Sequence, residues 1–235
     1  MDTEPKSMLR SFAEKLMRNR LVKRRLPNGV AIFVSPDSQL KYLKREFDQD
    51  LSAIAKEFIT DSSVVWDVGA NCGVLAFSAA KAKQIIAVEA DPFLAHVLQE
   101  SAALSGVSVT VVTAAVFSKP SLAKFSIARR GRASNFLTDA GGRSQTGGER
   151  SQIVVPTVTL DNLLDISLPP TFVKIDVEGA EIDVFEGAER LLGQARPTIY
   201  FEAGASTVDR CCEILKAANY RISQRSATDW LAQPE

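Results

Sequence analysis

The chain has 235 residues, a length that suits one α/β domain with an appendage. Lys and Arg number 28 and Asp and Glu also number 28, so no global charge recruits nucleic acid or an anionic membrane. Hydrophobic residues make up 46% of the chain, which is enough to build a core and excludes a disordered composition.

The cysteines and the N-terminal residues indicate a cellular setting. Cys72, Cys211 and Cys212 do not have the spacing of a disulfide framework or a zinc site. The first thirty residues hold no apolar run of the length that a secretory signal needs. No stretch approaches the ~20 apolar residues that span a bilayer. These features predict a soluble protein of the reducing cytoplasm.

The first 25 residues contain eight basic and three acidic side chains. Apolar residues at near-helical spacing predict an amphipathic helix over residues 7–23. Its basic face either lies on an anionic membrane or phosphate-bearing partner or is a solvated face of a helix packed on the main domain. A homodimer contact through this segment is a further alternative.

A hairpin and a second helix are predicted next. Asn28-Gly29 lies between two short apolar runs, which is the strongest short hairpin signal, and residues 44–58 are expected to be helical. We therefore divide the chain into an N-terminal helical segment with a β-hairpin, residues 1–60, and a main domain, residues 61–235.

In the main domain, β-branched apolar runs of strand length alternate with Ala-rich and Leu-rich stretches. The runs occupy residues 64–68, 84–90, 107–114, 171–177, 198–203 and 220–223. The stretches expected to be helices occupy residues 74–82, 92–105, 180–192 and 206–218. The alternation predicts an α/β fold with a doubly wound, Rossmann-like, mostly parallel sheet. The last twelve residues show no convincing strand pattern, so either the sheet has six strands at its core or Trp230 and Leu231 belong to a degenerate edge strand.

Residues 129–151 interrupt the alternation, between strands expected at 122–128 and 152–158. They hold five glycines and five arginines without an apolar period, which predicts a long mobile loop. Such a loop either covers the substrate or is a solvated insertion. Its arginines favour an anionic or hydroxyl-rich acceptor.

The turn after the first main-domain strand reads DVGANCG, residues 67–73. Ligands of doubly wound sheets bind at the carboxyl ends of strands, and Gly69 and Gly73 let the backbone approach a ligand closely. Glu89 ends the second strand, and its two carboxylate oxygens suit the two hydroxyls of a ribose. The turn therefore predicts a nucleoside site.

Two kinds of cofactor present such a nucleoside, the nicotinamide dinucleotides and S-adenosylmethionine. A dinucleotide site needs Gly-x-Gly-x-x-Gly, whereas the spacing here is Gly-x-Asn-x-Gly. The carboxylate of Asp67 would repel a pyrophosphate but attract the ammonium of a methionine moiety. The pattern favours S-adenosylmethionine.

Five successive segments resemble motifs of the FkbM family of S-adenosylmethionine-dependent methyltransferases. They are VVWDVGANCG (64–73), IIAVEADP (85–92), VPTVTLDNLL (155–164), FVKIDVEGAEIDVFEGAERLL (172–192) and PTIYFE (197–202). The resemblance runs over about residues 27–221. It implies a class I methyltransferase fold and O-methylation of a hydroxyl on a small natural product or saccharide.

The resemblance also implies roles for single residues. The methionine moiety would be bound by the loop residues Asp67, Gly69, Ala70, Asn71 and Gly73. The ribose would be bound by Glu89. The cofactor-binding set is completed by Ala90, Ala115 and Asp176, and Asp176 with Glu178 would lie beside the methyl group. Ser101 stands where the family often shows asparagine.

Methyl transfer to a hydroxyl requires alignment of the reactants and removal of the hydroxyl proton. Asp176 lies at the end of the fourth strand and Glu178 follows two residues later, so this pair is the predicted catalytic base, with Lys174 behind it. In the alternative interpretation, Asp176 only holds the cofactor's ammonium and Glu178 caps the next helix.

Other reactive residues receive no catalytic role. His96 falls inside a predicted helix past the edge of the cleft, and Cys72 has neither a base nor a metal partner among its neighbours. The acids Asp176, Glu178 and Glu202 do not form a clear ligand set, so no metal site is predicted.

Three other functions are weighed. A nucleic-acid base methyltransferase would carry Asn/Asp-Pro-Pro-aromatic where this chain has Asp-Val-Glu-Gly, and it would show a basic stripe, so nucleic acid is not an expected partner. An NAD-linked oxidoreductase and a catalytically degenerate S-adenosylmethionine-binding protein stay open as alternatives.

Overall fold

A computed structural model describes residues 16–129, 131–138 and 148–235. The predicted hairpin is confirmed as β1 (Val22–Arg25) paired antiparallel with β2 (Ala31–Val34). Residues 7–15 of the helix predicted over residues 7–23 lie outside the described residues; its expected end at residue 23 was wrong, because residues 22 and 23 belong to β1. The dimer contact assigned to that segment stays a prediction. Helix α1 (Gln49–Phe58) follows.

The remaining strands form two sheets. Chain order gives β3 (Val64–Val68), β4 (Gln84–Val88) and β5 (Thr110–Val112), then β6 (Ala115–Val116), β7 (Ser121–Ala128), β8 (Phe136–Leu137) and β9 (Glu149–Val158), and finally β10 (Phe172–Ile175), β11 (Thr198–Glu202), β12 (Tyr220–Gln224) and β13 (Asp229–Pro234). The main sheet has the order β12-β13-β11-β10-β3-β4-β5, and the second sheet has the order β6-β9-β7-β8. The predicted mostly parallel α/β sheet is therefore confirmed.

Strands such as β3 are buried on both sides because helices cover both faces of the main sheet. Beyond α1 they are α2 (Val74–Ser78), α3 (Pro92–Ser105), α4 (Leu160–Leu163), α5 (Glu181–Glu186) and α6 (Val208–Ala217), with a π-helical turn at Leu191–Ala195. One core cluster contains hairpin residues such as Ile32 together with Leu75 and Leu98, and a second contains Trp66 and Phe185. A third, against the second sheet, contains Phe125. The hairpin thus shares a core with the main sheet.

Ser101 ties the hairpin to α3. Its side chain is fully buried, and its Oγ accepts a hydrogen bond from Phe33 N at 2.9 Å and lies 3.2 Å from Phe33 O. A serine at this position therefore satisfies both the donor and the acceptor of one hairpin residue.

Four expectations about elements need correction. The second helix begins at Gln49 rather than near residue 44, because Asp48 takes a left-handed conformation with φ 42°. The expected helix over 74–82 ends at Ser78, and the one over 180–192 is divided between α5 and the π-helical turn. The loop expected over 129–151 contains β8, and β9 already begins at Glu149.

The structure decides between the two alternatives for the last twelve residues: a seventh strand exists, and it lies within the sheet and not at its edge. The segment DWLAQP forms β13, which lies between β11 and β12 and pairs antiparallel with both, as in the partnership of Trp230 with Phe201. Its residues are half-buried at the start and polar at the end, so it lacks the continuous apolar run of the parallel strands.

The order of the strands in the main sheet indicates where a ligand site lies. β3 continues to β4 and β5 on one side, whereas β10 pairs with β3 on the other side. Strand order therefore reverses between β3 and β10, which is where doubly wound sheets bind ligands.

Candidate functional site

The turns after β3 and β10 touch each other at this reversal. Gly69 has φ +70°, and a Cβ on it would lie 1.8 Å from the carbonyl oxygen of Asp176. Gly69 N and Ala70 N both donate to Val88 O at 3.0 Å. Only glycine satisfies both the left-handed conformation and the close approach.

The second glycine of the turn has a different role. Gly73, with φ +81°, precedes α2, and a Cβ there would lie 2.5 Å from Leu98 and 2.9 Å from Phe77. It does not line either of the two cavities described below. Its requirement for glycine thus comes from helix packing rather than from a ligand contact.

A buried charge cluster lies beneath the turns. Nζ of Lys174 donates to Gly69 O at 2.6 Å and lies 3.4 Å from Asp67 Oδ1 and 3.5 Å from Asp176 Oδ2. Burial alone would lower the pKa of Lys174, but the carboxylates of Asp67 and Asp176 outweigh it and raise that pKa. Lys174 therefore stays a cation that positions the turns and does not act as a base.

Asp67 is 1% exposed and holds the first turn of α2 through a 3.0 Å hydrogen bond from Ala76 N to its Oδ2. Its Oδ1 is buried and accepts no hydrogen bond that meets the geometric limits from the described residues. The Oδ1 atom of Asp176 is in the same state, although the Asp176 side chain is 31% exposed.

Glu89 is 7% exposed at the end of β4. Its Oε2 accepts a hydrogen bond from Asn71 N and its Oε1 accepts one from Asp91 N, both at 2.8 Å. Burial raises the pKa of Glu89 to about 7, although these hydrogen bonds oppose the rise. Each oxygen keeps a lone pair for a ligand donor.

We call the first cavity at the site the apolar cavity. Its lining from the main sheet and the turns after its strands includes Gly69, Val88, Glu89 and Ala90, and its lining from the second sheet and the adjoining turn includes Ala115, Phe125, Arg132, Asn135 and Leu137. It encloses about 60 Å³. Because ligand sites generally enclose ~300–1,000 Å³, we expect the second-sheet wall to move outward when a nucleoside binds.

The second, the acidic cavity, encloses about 200 Å³ on the other side of the Gly69 turn. Its lining contains the two ammonium groups of Lys41 and Lys174 and seven carboxylates. The carboxylates are those of Asp48, Asp50, Asp67, Asp176, Glu178, Glu202 and Asp229. Ala70, Tyr42 and Tyr200 also line it. The two cavities share Asn71, Ala133, Asp176 and Glu178, so the predicted catalytic pair lies at their junction.

Sequence reasoning missed the clamp that holds the second sheet. Arg132 Nε donates to Asp37 Oδ2 at 2.9 Å, its Nη1 donates to Asp91 Oδ2, and its guanidinium lies 4.5 Å from the centre of the Phe93 ring. Asn135 Nδ2 also donates to Asp91 Oδ2, at 2.8 Å. Asp37 is 95 positions from Arg132, so no local sequence pattern indicates that these two residues pair.

Arg150 binds Asp37 as well, through two nitrogens at 2.8 and 3.1 Å. Burial raises the pKa of Asp37, but the hydrogen bonds from Arg150 and Arg132 outweigh it and lower that pKa. Both arginines are thus neutralised by carboxylates of the chain itself. The expectation that loop arginines attract an anionic acceptor receives no support from these two.

The remaining candidates lie away from the chemistry. His96 is exposed on α3 and lines neither cavity. Cys72 is fully buried, its Sγ accepts a hydrogen bond from Ser35 N, and burial raises the pKa of its thiol to about 12, so it is unreactive. Within the described ranges, no group of three His, Cys, Asp or Glu residues is arranged to hold a metal ion.

A comparison with protein families matches the part of the chain that contains both turns of the site. The family model of the methyltransferase FkbM domain matches residues 67–222, which include both turns and both cavities' shared residues. No curated protein matches the chain significantly. Over the part of the chain that the structure describes, no helix is long and apolar enough to cross a membrane.

Three solved structures share the fold. A methyltransferase FkbM from Methylobacillus flagellatus is 20% identical with a TM-score of 0.52, and the alignment covers 73% of this chain and 44% of that one. A precorrin-6y C5,15-methyltransferase from Geobacter metallireducens is 14% identical with a TM-score of 0.51, covering 80% and 90%. A tRNA (uracil-54, C5)-methyltransferase from Pyrococcus abyssi, in complex with S-adenosyl-L-homocysteine, is 13% identical with a TM-score of 0.52, covering 91% and 44%.

These likenesses establish the fold. The chain spans less than half the length of the Methylobacillus protein. At identities of 20% and below, the acceptors of the three proteins do not transfer to this chain.

Proposed function

The chain belongs to the FkbM methyltransferase family, and from this premise we propose that it methylates a hydroxyl group of a small natural product or saccharide. S-adenosylmethionine is the methyl donor. The observation that carries the proposal is the junction of the two cavities, where Asp176 and Glu178 border both an apolar and an acidic space.

The residues of the site suit this donor. The apolar cavity has a carboxylate, Glu89, with a free lone pair on each oxygen for the two ribose hydroxyls, and small side chains at Ala90 and Ala115 beside it. The buried Oδ1 atoms of Asp67 and Asp176 lack hydrogen bonds from the described residues, and a donor group of a ligand would satisfy them. We therefore assign the ribose to Glu89 and the ammonium of the methionine moiety to the Asp67 side of the turn.

Bound S-adenosylmethionine supplies an electrophilic methyl group. The protein must then align the acceptor hydroxyl and take its proton. We assign proton removal to the pair Asp176 and Glu178, of which Asp176 is partly exposed and Glu178 takes a left-handed conformation with φ 56° in the turn before α5. Lys174 donates to Gly69 O in the facing turn and lies 3.5 Å from Asp176 Oδ2, so it is a positioning residue.

Cofactor titration is the first test. We expect the purified chain to bind S-adenosylhomocysteine at micromolar affinity or tighter in calorimetry, and to show no binding of NADH at the same concentrations. Binding of NADH instead would overturn the donor assignment and return the chain to the oxidoreductase alternative.

Methyl transfer is the second test. Labelled S-adenosylmethionine would be incubated with a panel of hydroxylated saccharides and natural products, and the product's labelled atom located by mass spectrometry. Methyl on oxygen supports the proposal, and methyl on nitrogen or carbon contradicts it. Cofactor binding without transfer to any acceptor would favour the catalytically degenerate alternative.

A further inference from the structure

Asn71 lies where the two cavities meet and has a side chain that can donate hydrogen bonds. Four residues border both cavities, namely Asn71, Ala133, Asp176 and Glu178, and of these four only Asn71 carries N–H donors on its side chain. Its backbone is left-handed, with φ 52°, a conformation that asparagine adopts more readily than most residues. The turn therefore presents an amide group at the place where a ligand passes from one cavity to the other.

The oxygen of this amide is held by a residue of the N-terminal hairpin segment. Oγ of Ser38 donates a hydrogen bond to Asn71 Oδ1 at 2.7 Å. Ser38 follows β2, is 1% exposed, and lies 33 positions before Asn71 in the chain. Because the oxygen and the nitrogen of an amide point in different directions from one carbon, fixing Oδ1 toward Ser38 turns the two N–H donors of Nδ2 away from it.

The backbone around Ser38 is in turn fixed against the second sheet. The carbonyl oxygen of Ser38 accepts a hydrogen bond from Ala133 N at 3.4 Å, and a Cβ on Gly131 would lie 2.4 Å from that oxygen. The carbonyl oxygen of Asp37 accepts a hydrogen bond from Arg132 N at 3.0 Å. The Ser38 hydroxyl thus reaches the cofactor turn from a backbone that cannot shift freely.

The donor assignments leave one group of the cofactor to be bound. The ribose is assigned to Glu89, which lines the apolar cavity, and the ammonium to Asp67, which lines the acidic cavity. The methionine moiety must therefore cross the junction of the cavities, and its carboxylate passes the acidic side chains of Asp176 and Glu178. A carboxylate in such surroundings is destabilised unless it accepts hydrogen bonds.

Other donors near the junction are already engaged. The backbone N–H groups of residues 69–71 donate to Val88 O and to the Glu89 carboxylate. The cations of Lys174 and Arg132 are paired with carboxylates of the chain itself. These groups are therefore committed within the protein, whereas the described residues hydrogen-bond Asn71 through its backbone N–H and its Oδ1 and not through Nδ2.

We propose that Asn71 Nδ2 donates to the carboxylate of the methionine moiety and that Ser38 is the positioning residue that orients this amide. The inference rests on the proposed function. Ser38 lines neither cavity, so it acts through Asn71 and not by touching the cofactor. It also lies outside residues 67–222, which the family model matches, so part of the donor site is supplied by the hairpin segment.

The loss of the Ser38 hydroxyl should affect one group of the cofactor alone. Without that donor, Asn71 Oδ1 has no partner that fixes it, and the amide can turn about its last side-chain bond, which has a broad and roughly two-fold energy profile. In the turned state the amide oxygen faces the carboxylate and repels it. The ribose and the ammonium keep their partners.

Binding of two matched ligands tests the proposal without using activity. S-adenosylhomocysteine and its decarboxylated form share the nucleoside and the amine and differ in the carboxylate. Each is titrated calorimetrically into the native chain and into Ser38→Ala. We expect the native chain to bind S-adenosylhomocysteine at least about tenfold more tightly than the decarboxylated ligand, the lower range for a hydrogen bond to a charged group. Ser38→Ala should reduce this preference at least about threefold by weakening S-adenosylhomocysteine alone.

Two further variants locate the effect. Ser35→Ala is the matched control, because Ser35 is buried in the same segment and its Oγ accepts a hydrogen bond from Asp37 N at 3.3 Å within that segment. It should leave the preference unchanged. Asn71→Asp keeps an oxygen for Ser38 and tolerates a left-handed backbone, but it replaces Nδ2 with an anionic oxygen and should abolish the preference.

The remaining outcomes contradict the proposal in distinguishable ways. An unchanged preference in Ser38→Ala overturns it, and so does an equal loss of both ligands, because Ser38 would then support the whole site or the fold. A preference that falls equally in Ser35→Ala assigns the effect to the segment and not to the Ser38 hydroxyl. A native chain that binds neither ligand refutes the proposed function as well, whereas a native chain that binds both ligands equally refutes only this inference.

Discussion

The apolar and the acidic cavity meet at Asn71, Ala133, Asp176 and Glu178 but have different linings. The apolar cavity lies between the carboxyl ends of parallel strands and a second sheet, and the carboxylate of Glu89 and the guanidinium of Arg132 in its lining are hydrogen-bonded within the protein. The acidic cavity is lined by the first turn of α1, the 3-10 helix Leu40–Leu43 and the ends of β3, β10, β11 and β13, and carboxylates predominate. Both cavities therefore use strand ends of the main sheet, and they differ in the segments that cover those ends.

The difference between the two linings suggests different roles in binding the methyl donor and the methyl acceptor. Strand ends are fixed by the packing of the main sheet, so they suit a part of the reaction that needs constant geometry, which is the donor. Irregular segments tolerate changes of residue without altering the sheet, so they suit the acceptor. Experiments that disturb one cavity and leave the other intact therefore test this division.

The largest effect is expected from Gly69→Ala, which disturbs both cavities. The new Cβ would lie 1.8 Å from Asp176 O in a left-handed conformation, so the two turns must separate. We expect the free energy of unfolding to fall by about 3 kcal/mol, at the upper end for single substitutions. Urea denaturation measures this loss.

Gly193→Ala is the matched control. Gly193 lies in the π-helical turn, does not have a left-handed φ, and has nothing within 4 Å of the position of a Cβ. Its substitution should change stability by less than about 1 kcal/mol. If the two variants unfold at the same urea concentration, the contact between the turns is not what fixes the cavities.

The next largest effect is expected from Asp176→Asn, at the junction. Removing the proton acceptor should lower the rate of methyl transfer by roughly 10²- to 10⁴-fold and leave the affinity for S-adenosylhomocysteine unchanged. Asp165→Asn is the control, because Asp165 is an exposed carboxylate paired with an exposed arginine. If Asp176→Asn abolishes cofactor binding instead, its carboxylate holds the methionine ammonium and Glu178 is the base.

These two experiments concern residues that the sequence predicts well. The alternation of strands places the turns after β3 and β10, and the pattern Gly-x-Asn-x-Gly indicates a close backbone approach at Gly69. A buried parallel strand must be apolar, so its polar end residues stand out in the sequence. Asp67, Glu89 and Asp176 are found for this reason.

The sequence is less informative about the residues around that frame. The left-handed Asp48 delays α1, and β13 is half-buried, so neither element has a clear period. The role of Gly73 in packing against Leu98 looks the same in the sequence as a ligand contact. The partners of Arg132 are distant in the chain, and only the folded structure brings them together.

A smaller and pH-dependent effect is expected from Glu89→Gln, which disturbs the apolar cavity alone. Hydrogen bonds to the charged carboxylate should contribute about 1.5–3 kcal/mol to S-adenosylhomocysteine binding. Because burial raises the pKa of Glu89 from 4.5 to about 7, the affinity of the native protein should fall as the pH drops below 7. The variant should bind weakly with no such dependence, which calorimetry between pH 6 and pH 8 would measure.

Stability should show the opposite trend. Between pH 4.5 and about 7 the folded protein holds the Glu89 proton and the unfolded chain does not, so the free energy of unfolding falls as pH rises through this window. Glu89→Gln should remove that decline. A native protein with constant cofactor affinity from pH 6 to pH 8 would contradict the assignment of the ribose to an ionised Glu89.

The smallest effect is expected from loosening the wall of the apolar cavity. Arg132→Gln removes the ion pairs to Asp37 and Asp91 that hold the second sheet against the main sheet, while Arg150→Gln removes a contact with the same Asp37 from a residue that does not line the cavity. We expect the cavity of about 60 Å³ to open when a nucleoside enters. If Arg132→Gln removes about 1 kcal/mol of the free energy that keeps the second sheet in its closed position, S-adenosylhomocysteine should associate and dissociate roughly fivefold faster. Stopped-flow measurement of both rates decides the matter: equal acceleration in Arg150→Gln would assign the effect to Asp37 rather than to the wall, and unchanged rates in both variants would mean that the nucleoside enters without moving the second sheet.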